Sequence, residues 1–279
     1  MARRWRTVVA LLAALCAACS GAESAGVVAP ERPAVTTPAP DRGPTFSDWD
    51  VGARPLPLRA DGFGRVVPTP PELRVRRMPT TDVLPPPPVG SFVSSVSRIG
   101  PRIRARMGMT WQPDCPVGLG ELRYLRVSFW GFDRRPHTGE LIVHRRVAHD
   151  VVGVFATLFR ARFPIEAMRI ATTADVDPRP TGDGNGSGAF FCRPMRNGSA
   201  WSAHAYGLAI DLNPFQNPYQ SRDLVLPELA SAYLNRGRVR PGMIRRGGVV
   251  TDAFAAIGWT WGGSWRTPRD YMHFSATGH

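Results

Sequence analysis

Prolines divide this chain into two unequal parts. Fifteen of the 28 prolines fall within residues 20–100, including the run Pro85-Pro86-Pro87-Pro88, and apolar periodicity in this stretch is weak. Such a composition is typical of an extended linker. We therefore predict a mostly disordered tether over residues 20–100, with short runs such as Phe92-Val93 and Val96 docking on a folded domain. That domain is predicted to span residues 101–279.

The first 19 residues have the three parts of an export signal. Arginines precede an apolar run from Val8 to Cys16 that is too short to span a bilayer comfortably, and small residues then lead to Cys19. Small residues before a cysteine resemble a bacterial lipobox, although Cys16 stands where a leucine is usual. We predict an exported bacterial protein, lipid-anchored through Cys19 at the outer face of the cytoplasmic membrane or cell wall. The alternative is a plain secretory signal.

Charge and composition limit the partners. Hydrophobic residues make up 43% of the chain, so wholesale disorder is excluded. The 35 basic residues are all arginines, against 22 acidic residues, which invites a nucleic-acid reading. No aromatic interleaving supports a nucleic-acid platform. We expect no nucleic-acid partner and a monomer, with the excess charge giving at most a mild aid to retention at an anionic wall.

Hydrophobic patterns beyond residue 100 predict a mixed fold. Strands are predicted over 123–129, 140–144, 168–170, 190–193 and 207–212, and helices over 145–162 and 251–256. These elements mix without βαβ regularity, which favours the α+β class with a small antiparallel sheet flanked by helices.

The four cysteines fit an exported chain. Cys16 and Cys19 belong to the signal region, which leaves the even pair Cys115 and Cys192. We predict one disulfide between them. They are poor candidates for metal ligands because the chain has no C-x-x-C pair.

Two short stretches place histidine near aspartate. In residues 201–213, His204 is followed seven positions later by Asp211, whose neighbours are apolar. A carboxylate in an apolar strand is costly unless it is paired, protonated or bound to metal. Further on, Asp270 precedes His273 by three residues. Each stretch alone is compatible with a hydrogen-bonded core pair; together they supply two histidines and one aspartate for an open zinc site, with Asp270 left for proton transfer.

The combined pattern resembles a known family. S-x-H-x-x-G-x-A-x-D followed by D-x-x-H is similar to the VanY-type D-alanyl-D-alanine carboxypeptidase family of zinc peptidases, which act on peptidoglycan peptides. The resemblance covers roughly residues 115–276. It implies the D-Ala-D-Ala carboxypeptidase/hedgehog-like fold, one zinc ion and peptidoglycan peptides as partners. Further matching segments are Arg162-Phe163-Pro164-Ile165, Asn213-Pro214 and Gly258-Trp259-Thr260-Trp261-Gly262-Gly263.

The resemblance assigns roles to individual residues. His204, Asp211 and His273 are the implied zinc ligands, and Asp270 is the implied general base and acid. Arg193 aligns with a family arginine that faces the scissile carbonyl, where a guanidinium suits an oxyanion.

Two further residues are assigned to substrate binding. Ser202 is expected to contact substrate or orient a ligand, with a cap of the following segment as the alternative. Trp261 is expected to line the substrate groove, with packing beneath the site as the alternative.

The predicted function is zinc-dependent hydrolysis of peptide bonds in peptidoglycan stem peptides, in the manner of a D-alanyl-D-alanine carboxypeptidase. An L-alanyl-D-glutamate-type endopeptidase and a non-catalytic wall-binding lipoprotein stay open. A second motif, Asp183-x-Asn185-x-Ser187, resembles the first half of a calcium loop, but Pro194 stands at its twelfth position. We interpret it as a polar turn.

Overall fold

A computed structural model of the chain describes residues 45–88, 90–195 and 198–278. The predicted export signal and Cys19 lie outside the described residues, as does the start of the predicted tether. None of the helices within the described ranges has the length and apolar character needed to cross a membrane.

The structure contains eleven short strands and three α-helices in its described part. The strands are β1 (Ser94–Arg98), β2 (Leu122–Trp130), β3 (Pro136–His144), β4 (Ala167–Met168), β5 (Gly186–Ser187), β6 (Ala209–Asp211), β7 (Tyr219–Ser221), β8 (Leu224–Leu226), β9 (Thr260–Trp261), β10 (Arg269–Asp270) and β11 (His273–Ser275). The helices are α1 (Pro101–Met107), α2 (Ala148–Arg160) and α3 (Val249–Ala255).

The strands form several small sheets rather than one. Antiparallel sheets have the orders β1-β2-β3, β10-β7-β8 and β6-β11-β9, and β4 and β5 form a short parallel pair. The mixed α and β composition agrees with the predicted class, whereas the expected single sheet is divided into three. Most strands are only two or three residues long, so each ladder can join only a few residues.

The main core lies between α2 and the sheet β1-β2-β3. Apolar residues recur along α2 at helical spacing, and Val151, Val154, Phe155 and Leu158 are almost fully buried against β2 and β3. The helix predicted over 145–162 is therefore present with narrower bounds. Burial of this apolar stripe stabilises the packing of α2 on the sheet through the hydrophobic effect.

The strand predicted over 190–193 is absent. The backbone amides of Phe190, Phe191 and Cys192 instead donate to three different segments, at the carbonyls of Ile142, His204 and Thr110. The segment is held firmly, but no single neighbouring strand provides a ladder. The predicted disulfide between Cys115 and Cys192 is present and anchors the same segment, directly before Arg193.

The structure differs from the predicted tether over residues 45–88 and 90–100. We call residues 45–88 the N-terminal strap. Leu73 and Arg76 in the strap are almost completely buried, and β1 pairs along its whole length with β2. Phe92 and Val96 pack against the main core, as expected for the docking runs. The strap is therefore part of the folded unit, even though its sequence shows little apolar periodicity.

Buried polar contacts fix the strap in place. The Trp49 indole donates to an Asp183 carboxylate oxygen at 2.8 Å, and the Arg76 guanidinium forms a two-point ion pair with Glu166. His137, a buried residue of β3, contacts Asp82 of the strap at 2.8 Å. These contacts explain how a proline-rich segment can dock with few apolar residues.

The motif Asp183-x-Asn185-x-Ser187 lies beneath the strap. All three side chains are buried and bonded within the protein, Asp183 to Trp49, Asn185 to Glu166, and Ser187 to the Asn213 amide. The interpretation as a structural polar turn agrees with these contacts.

Candidate active site

Sheet register brings two predicted zinc ligands together. In the antiparallel pairing of β6 with β11, His273 lies directly opposite Asp211. Directly opposed residues in such a ladder have Cβ atoms about 4.5–5.5 Å apart. Two positions separated by 62 residues in sequence are therefore adjacent on one sheet face.

A short 3₁₀ turn brings in the third predicted ligand. The turn Ala203–Tyr206 precedes β6, and the Ser202 hydroxyl caps it by accepting the His204 amide at 3.3 Å. Gly207 ends the turn with φ of 65°, and a Cβ there would lie 2.6 Å from the His144 amide nitrogen. Glycine is required because both the backbone conformation and the close approach exclude a side chain.

The candidate ligand atoms of the three residues lie close to one another. His204 Nε2 lies 3.2 Å from His273 Nδ1, His273 Nδ1 lies 3.0 Å from Asp211 Oδ1, and His204 Nε2 lies 3.3 Å from Asp211 Oδ2. Ligands placed tetrahedrally around zinc at ordinary bond lengths are separated by about 3.3 Å. The donor set and its spacing therefore fit a zinc ion. Within the described ranges, no other group of three His, Cys, Asp or Glu residues converges in this way.

The backbone orients the His204 ring. His204 Nδ1 donates to the Ala189 carbonyl oxygen at 2.5 Å, so Nε2 on the other side of the ring faces Asp211 and His273, where it would ligate a metal. A hydrogen bond from the distal nitrogen to a carbonyl is the usual way to fix the tautomer of a ligating histidine. Ala189 lies in a segment without regular structure, so no sequence pattern predicts that its carbonyl oxygen is the partner of His204.

The local electrostatics favour an ionised Asp211. Burial opposes the charge, but the positive field and the hydrogen bonds of His204 and His273 outweigh it and hold the pKa of Asp211 below its ordinary value. The carboxylate side chain is still 25% exposed, on the side of a cleft. The group therefore offers a charged oxygen ligand at an accessible position.

A cleft of about 560 Å³ opens over the three ligands. Asp270 and Arg193 both line it, as the assigned roles require, and Ser202 lies in its wall. A smaller recess of about 210 Å³ adjoins His204 and Asp211 and shares Arg193 with the cleft. The ligand cluster therefore lies at the junction of a large and a small compartment.

The backbone beside Asp270 is closely packed. β10 pairs Asp270 with Tyr219 of β7, and Gly262 passes so near that a Cβ there would lie 2.7 Å from the Asp270 carbonyl oxygen. Any side chain at Gly262 would displace the strand that carries Asp270. The glycine is therefore part of what positions the predicted proton-transfer group.

Trp261 does not lie in the cleft. Its indole donates to the Tyr271 carbonyl at 2.8 Å and its ring stacks on Phe274, a buried residue of β11. Trp261 therefore packs beside the site, as in the alternative from the sequence, and it lines a neighbouring groove rather than the cleft over the ligands. Two other tryptophans, Trp201 and Trp265, line the cleft. Trp265 follows the 3₁₀ turn Gly262–Ser264 and lies near the His273 ring.

Comparison with known proteins identifies this region. Residues 196–276 match the family model described as D-alanyl-D-alanine carboxypeptidase, which confirms the resemblance over the stretch that carries His204, Asp211, Asp270 and His273. Arg193 and the rest of the expected span precede the matched residues. Comparison with curated proteins and with solved structures found no significant match.

Proposed function

We propose that this protein is a zinc-dependent peptidase of peptidoglycan stem peptides, with the activity of a D-alanyl-D-alanine carboxypeptidase. The family match over residues 196–276 supports a peptidase with this class of substrate. The observation that supports the zinc assignment is the convergence of His204, Asp211 and His273, whose nitrogens and carboxylate oxygens approach one another to 3.0–3.3 Å, as tetrahedral ligation requires.

The three ligands would leave one position for the reaction. Zinc held by two imidazoles and a carboxylate supplies Lewis acidity and activates water near neutral pH. The chain contributes the preset geometry, because the register of β6 with β11 fixes two ligands and the Ala189 carbonyl fixes the third. Little reorganisation is then needed when the substrate enters.

Asp270 and Arg193 supply the remaining chemistry. Both line the cleft beside the ligand cluster. The Asp270 carboxylate would accept a proton as the amide carbon is attacked and return it to the leaving amine. The Arg193 guanidinium, which stays charged at any relevant pH, would stabilise the negative charge that develops on the carbonyl oxygen.

The unequal compartments favour removal of a terminal residue. The recess of about 210 Å³ suits a small C-terminal residue such as D-alanine, whereas the cleft of about 560 Å³ suits the preceding peptide. Arg193 borders both spaces and so lies where the scissile bond would cross between them. An endopeptidase would instead require room for a longer chain on both sides.

The decisive experiment is mass spectrometry of purified muropeptides after incubation with the zinc-loaded protein. Loss of one D-alanine supports the carboxypeptidase. Cleavage between L-alanine and D-glutamate would replace it with the endopeptidase. A protein that binds no zinc and leaves all muropeptides intact would be a wall-binding module instead, and the proposal would be wrong.

We further propose that the protein acts outside the cytoplasm, as a monomer anchored through a lipid on Cys19. The signal pattern of residues 1–19 and the disulfide between Cys115 and Cys192 support export. Cys19→Ala should release the mature protein from membranes into the medium, as measured by fractionation. An unchanged distribution would favour a plain secretory signal.

A further inference from the structure

A second groove adjoins the cleft and is rich in arginine. It encloses about 410 Å³ and is lined by Arg236, Arg245, Arg246 and Arg269 together with Trp261, Trp265 and Tyr271. We call it the arginine groove. None of the residues assigned to zinc or to proton transfer lines it.

The arginine groove and the cleft are neighbours: Trp265 lines both, and β10 contributes one residue to each. In β10, the consecutive residues Arg269 and Asp270 line the groove and the cleft respectively, as expected because adjacent side chains of a strand point to opposite faces. A peptide that crosses Trp265 would therefore have one part near Asp270 and another part near Arg269.

Three arginines of the groove have no acidic partner within the part of the chain that the structure describes. Arg245, Arg246 and Arg269 are exposed, and among the described residues none of them forms an ion pair with a carboxylate. Elsewhere Arg76 and Arg169 are paired with acidic side chains. Like charges held close together repel, so an anionic ligand would be favoured there.

Arg236 forms a fixed wall of the groove. Its guanidinium donates to the carbonyls of Gln216 and Ile244 and to the Asn217 side chain, and it lies 4.5 Å from the centre of the Tyr271 ring. Burial lowers the pKa of Arg236 to about 10, so the side chain keeps its charge at neutral pH. The three exposed arginines thus surround a rigid cationic and aromatic surface.

We propose that the arginine groove binds carboxylates of the substrate peptide that lie upstream of the scissile bond, and so selects acidic peptides. The inference rests on the proposed function. Stem peptides carry free carboxylates on the residues that precede the terminal D-alanines. Guanidinium groups bind carboxylates through two parallel hydrogen bonds, and the tryptophan and tyrosine faces offer apolar surface to the peptide chain.

Two peptides and two matched variants test the proposal. The peptides share the terminal D-alanyl-D-alanine and differ only in whether the upstream carboxylates are free or amidated. The groove variant is Arg245→Gln/Arg246→Gln/Arg269→Gln. The control variant, Arg98→Gln/Arg102→Gln/Arg160→Gln, removes the same charge from exposed positions that line none of the described cavities.

Binding is measured by calorimetry with the zinc-loaded full chain carrying Asp270→Asn, so that the peptide is not consumed. We expect the groove variant to bind the free-carboxylate peptide about tenfold more weakly and the amidated peptide unchanged. The control variant should change both affinities by less than about twofold. Equal affinity of the unaltered groove for the two peptides, or equal weakening of both by the groove variant, would overturn the proposal.

The remaining outcomes separate this inference from the proposed function. If the protein carrying native Asp270 hydrolyses both peptides with equal kcat/KM, the peptidase stands and the groove proposal fails. If neither peptide is hydrolysed but the unaltered groove prefers the free-carboxylate peptide and the groove variant loses that preference, the groove stands and the peptidase fails. Tighter binding of a glycerol-phosphate oligomer than of the acidic peptide would assign the groove to a phosphate-bearing wall polymer and overturn the proposal.

Discussion

Two clusters of buried polar side chains in this protein each contain one carboxylate, and they are opposite in use. One is the ligand cluster of His204, Asp211 and His273. The other, which we call the strap network, comprises Arg76, Glu166, Asn185 and Gln216. All four side chains of the strap network are at least nine-tenths buried, as are the two histidines.

The strap network pairs most of its polar atoms within the protein, although Arg76 Nη1 and Gln216 Nε2 have no hydrogen-bond partner among the described residues. Glu166 accepts from Arg76 Nε at 2.8 Å, from Arg76 Nη2 at 2.5 Å and from Asn185 Nδ2 at 2.7 Å. The Asn185 side chain also donates to Gln216 Oε1 and accepts the Phe215 amide. The charge of the Glu166 carboxylate is thus matched by donors of the protein itself, which makes the network structural.

The ligand cluster directs its atoms toward one another and toward open space. Its nitrogens and carboxylate oxygens approach to 3.0–3.3 Å beneath a cleft of about 560 Å³. The comparison teaches that a carboxylate among buried polar groups does not by itself mark a functional site. What separates the two clusters is whether the carboxylate is paired with donors of the same protein or converges with other potential ligands beneath a cleft.

The two clusters are also connected. Ser187 in β5 accepts the Asn213 amide, and Gly188 exchanges two backbone hydrogen bonds with Asp211. Asn185 therefore belongs to a segment that continues directly to the backbone of a predicted zinc ligand. Damage to the strap network should weaken the fold around the site without changing its chemistry.

The largest expected effect is on the ligand cluster itself. His204→Ala removes one of three ligands, so zinc binding and hydrolysis should both be lost, while the free energy of unfolding without zinc changes little. Metal content by mass spectrometry and muropeptide digestion measure the two losses. Asp270→Ala is the matched control, because it should retain zinc and lose hydrolysis. Full activity of Asp270→Ala would refute the assigned proton-transfer role.

The second effect is on the strap network. Arg76→Met leaves the Glu166 carboxylate buried without its ion-pair partner, and the free energy of unfolding should fall by about 3–5 kcal/mol. Zinc content per folded molecule should stay at the level of the unaltered protein. Chemical denaturation with a metal assay at low temperature measures both quantities.

A second substitution distinguishes lost charge pairing from lost volume. The double variant Arg76→Met/Glu166→Met removes the unpaired charge and should recover a large part of the lost stability. If the double variant is no more stable than Arg76→Met, the ion pair is not what holds the strap.

Sequence patterns predict the elements in which apolar residues recur at a regular spacing. The stripe of α2 and the alternation in β2 are local signals of this kind. The ligand cluster was also predictable, because Asp211 interrupts an apolar strand and its partners belong to a motif that the family match confirms.

The strap was not predictable in the same way. Arg76 and Glu166 are separated by 90 residues, and neither lies in a periodic pattern that would mark it as buried. A proline-rich composition reports only that regular elements are unfavourable; it does not report whether the extended chain docks. The choice between Trp261 and Trp265 likewise depends on the turn Gly262–Ser264, whose direction no spacing rule supplies.

A third, smaller effect is expected where the strap meets the loop before β5. Trp49→Phe keeps an aromatic ring but removes the indole donor to the buried Asp183 carboxylate, a bond of 2.8 Å. Asp183 retains the Gly52 amide and the Thr181 hydroxyl, so the cost should be about 1–3 kcal/mol. Thermal unfolding measures it. An unchanged midpoint of thermal unfolding would show that the hydrogen bond from Trp49 to Asp183 does not stabilise the strap.

The smallest effect tests which role Ser202 has. The Ser202 hydroxyl accepts a hydrogen bond from the His204 amide at 3.3 Å, and Ser202 also lines the cleft, so both interpretations from the sequence stay open. If capping is its role, Ser202→Ala should cost about 0.5–2 kcal/mol of stability and leave KM unchanged, whereas Ser202→Asp, which can also cap, should recover the stability. A raised KM at unchanged stability would instead assign the hydroxyl to substrate. The same measurement then decides what the Ser202 hydroxyl bonds to. It either stabilises the turn that carries His204, as the strap network stabilises the strap, or binds the substrate in the cleft.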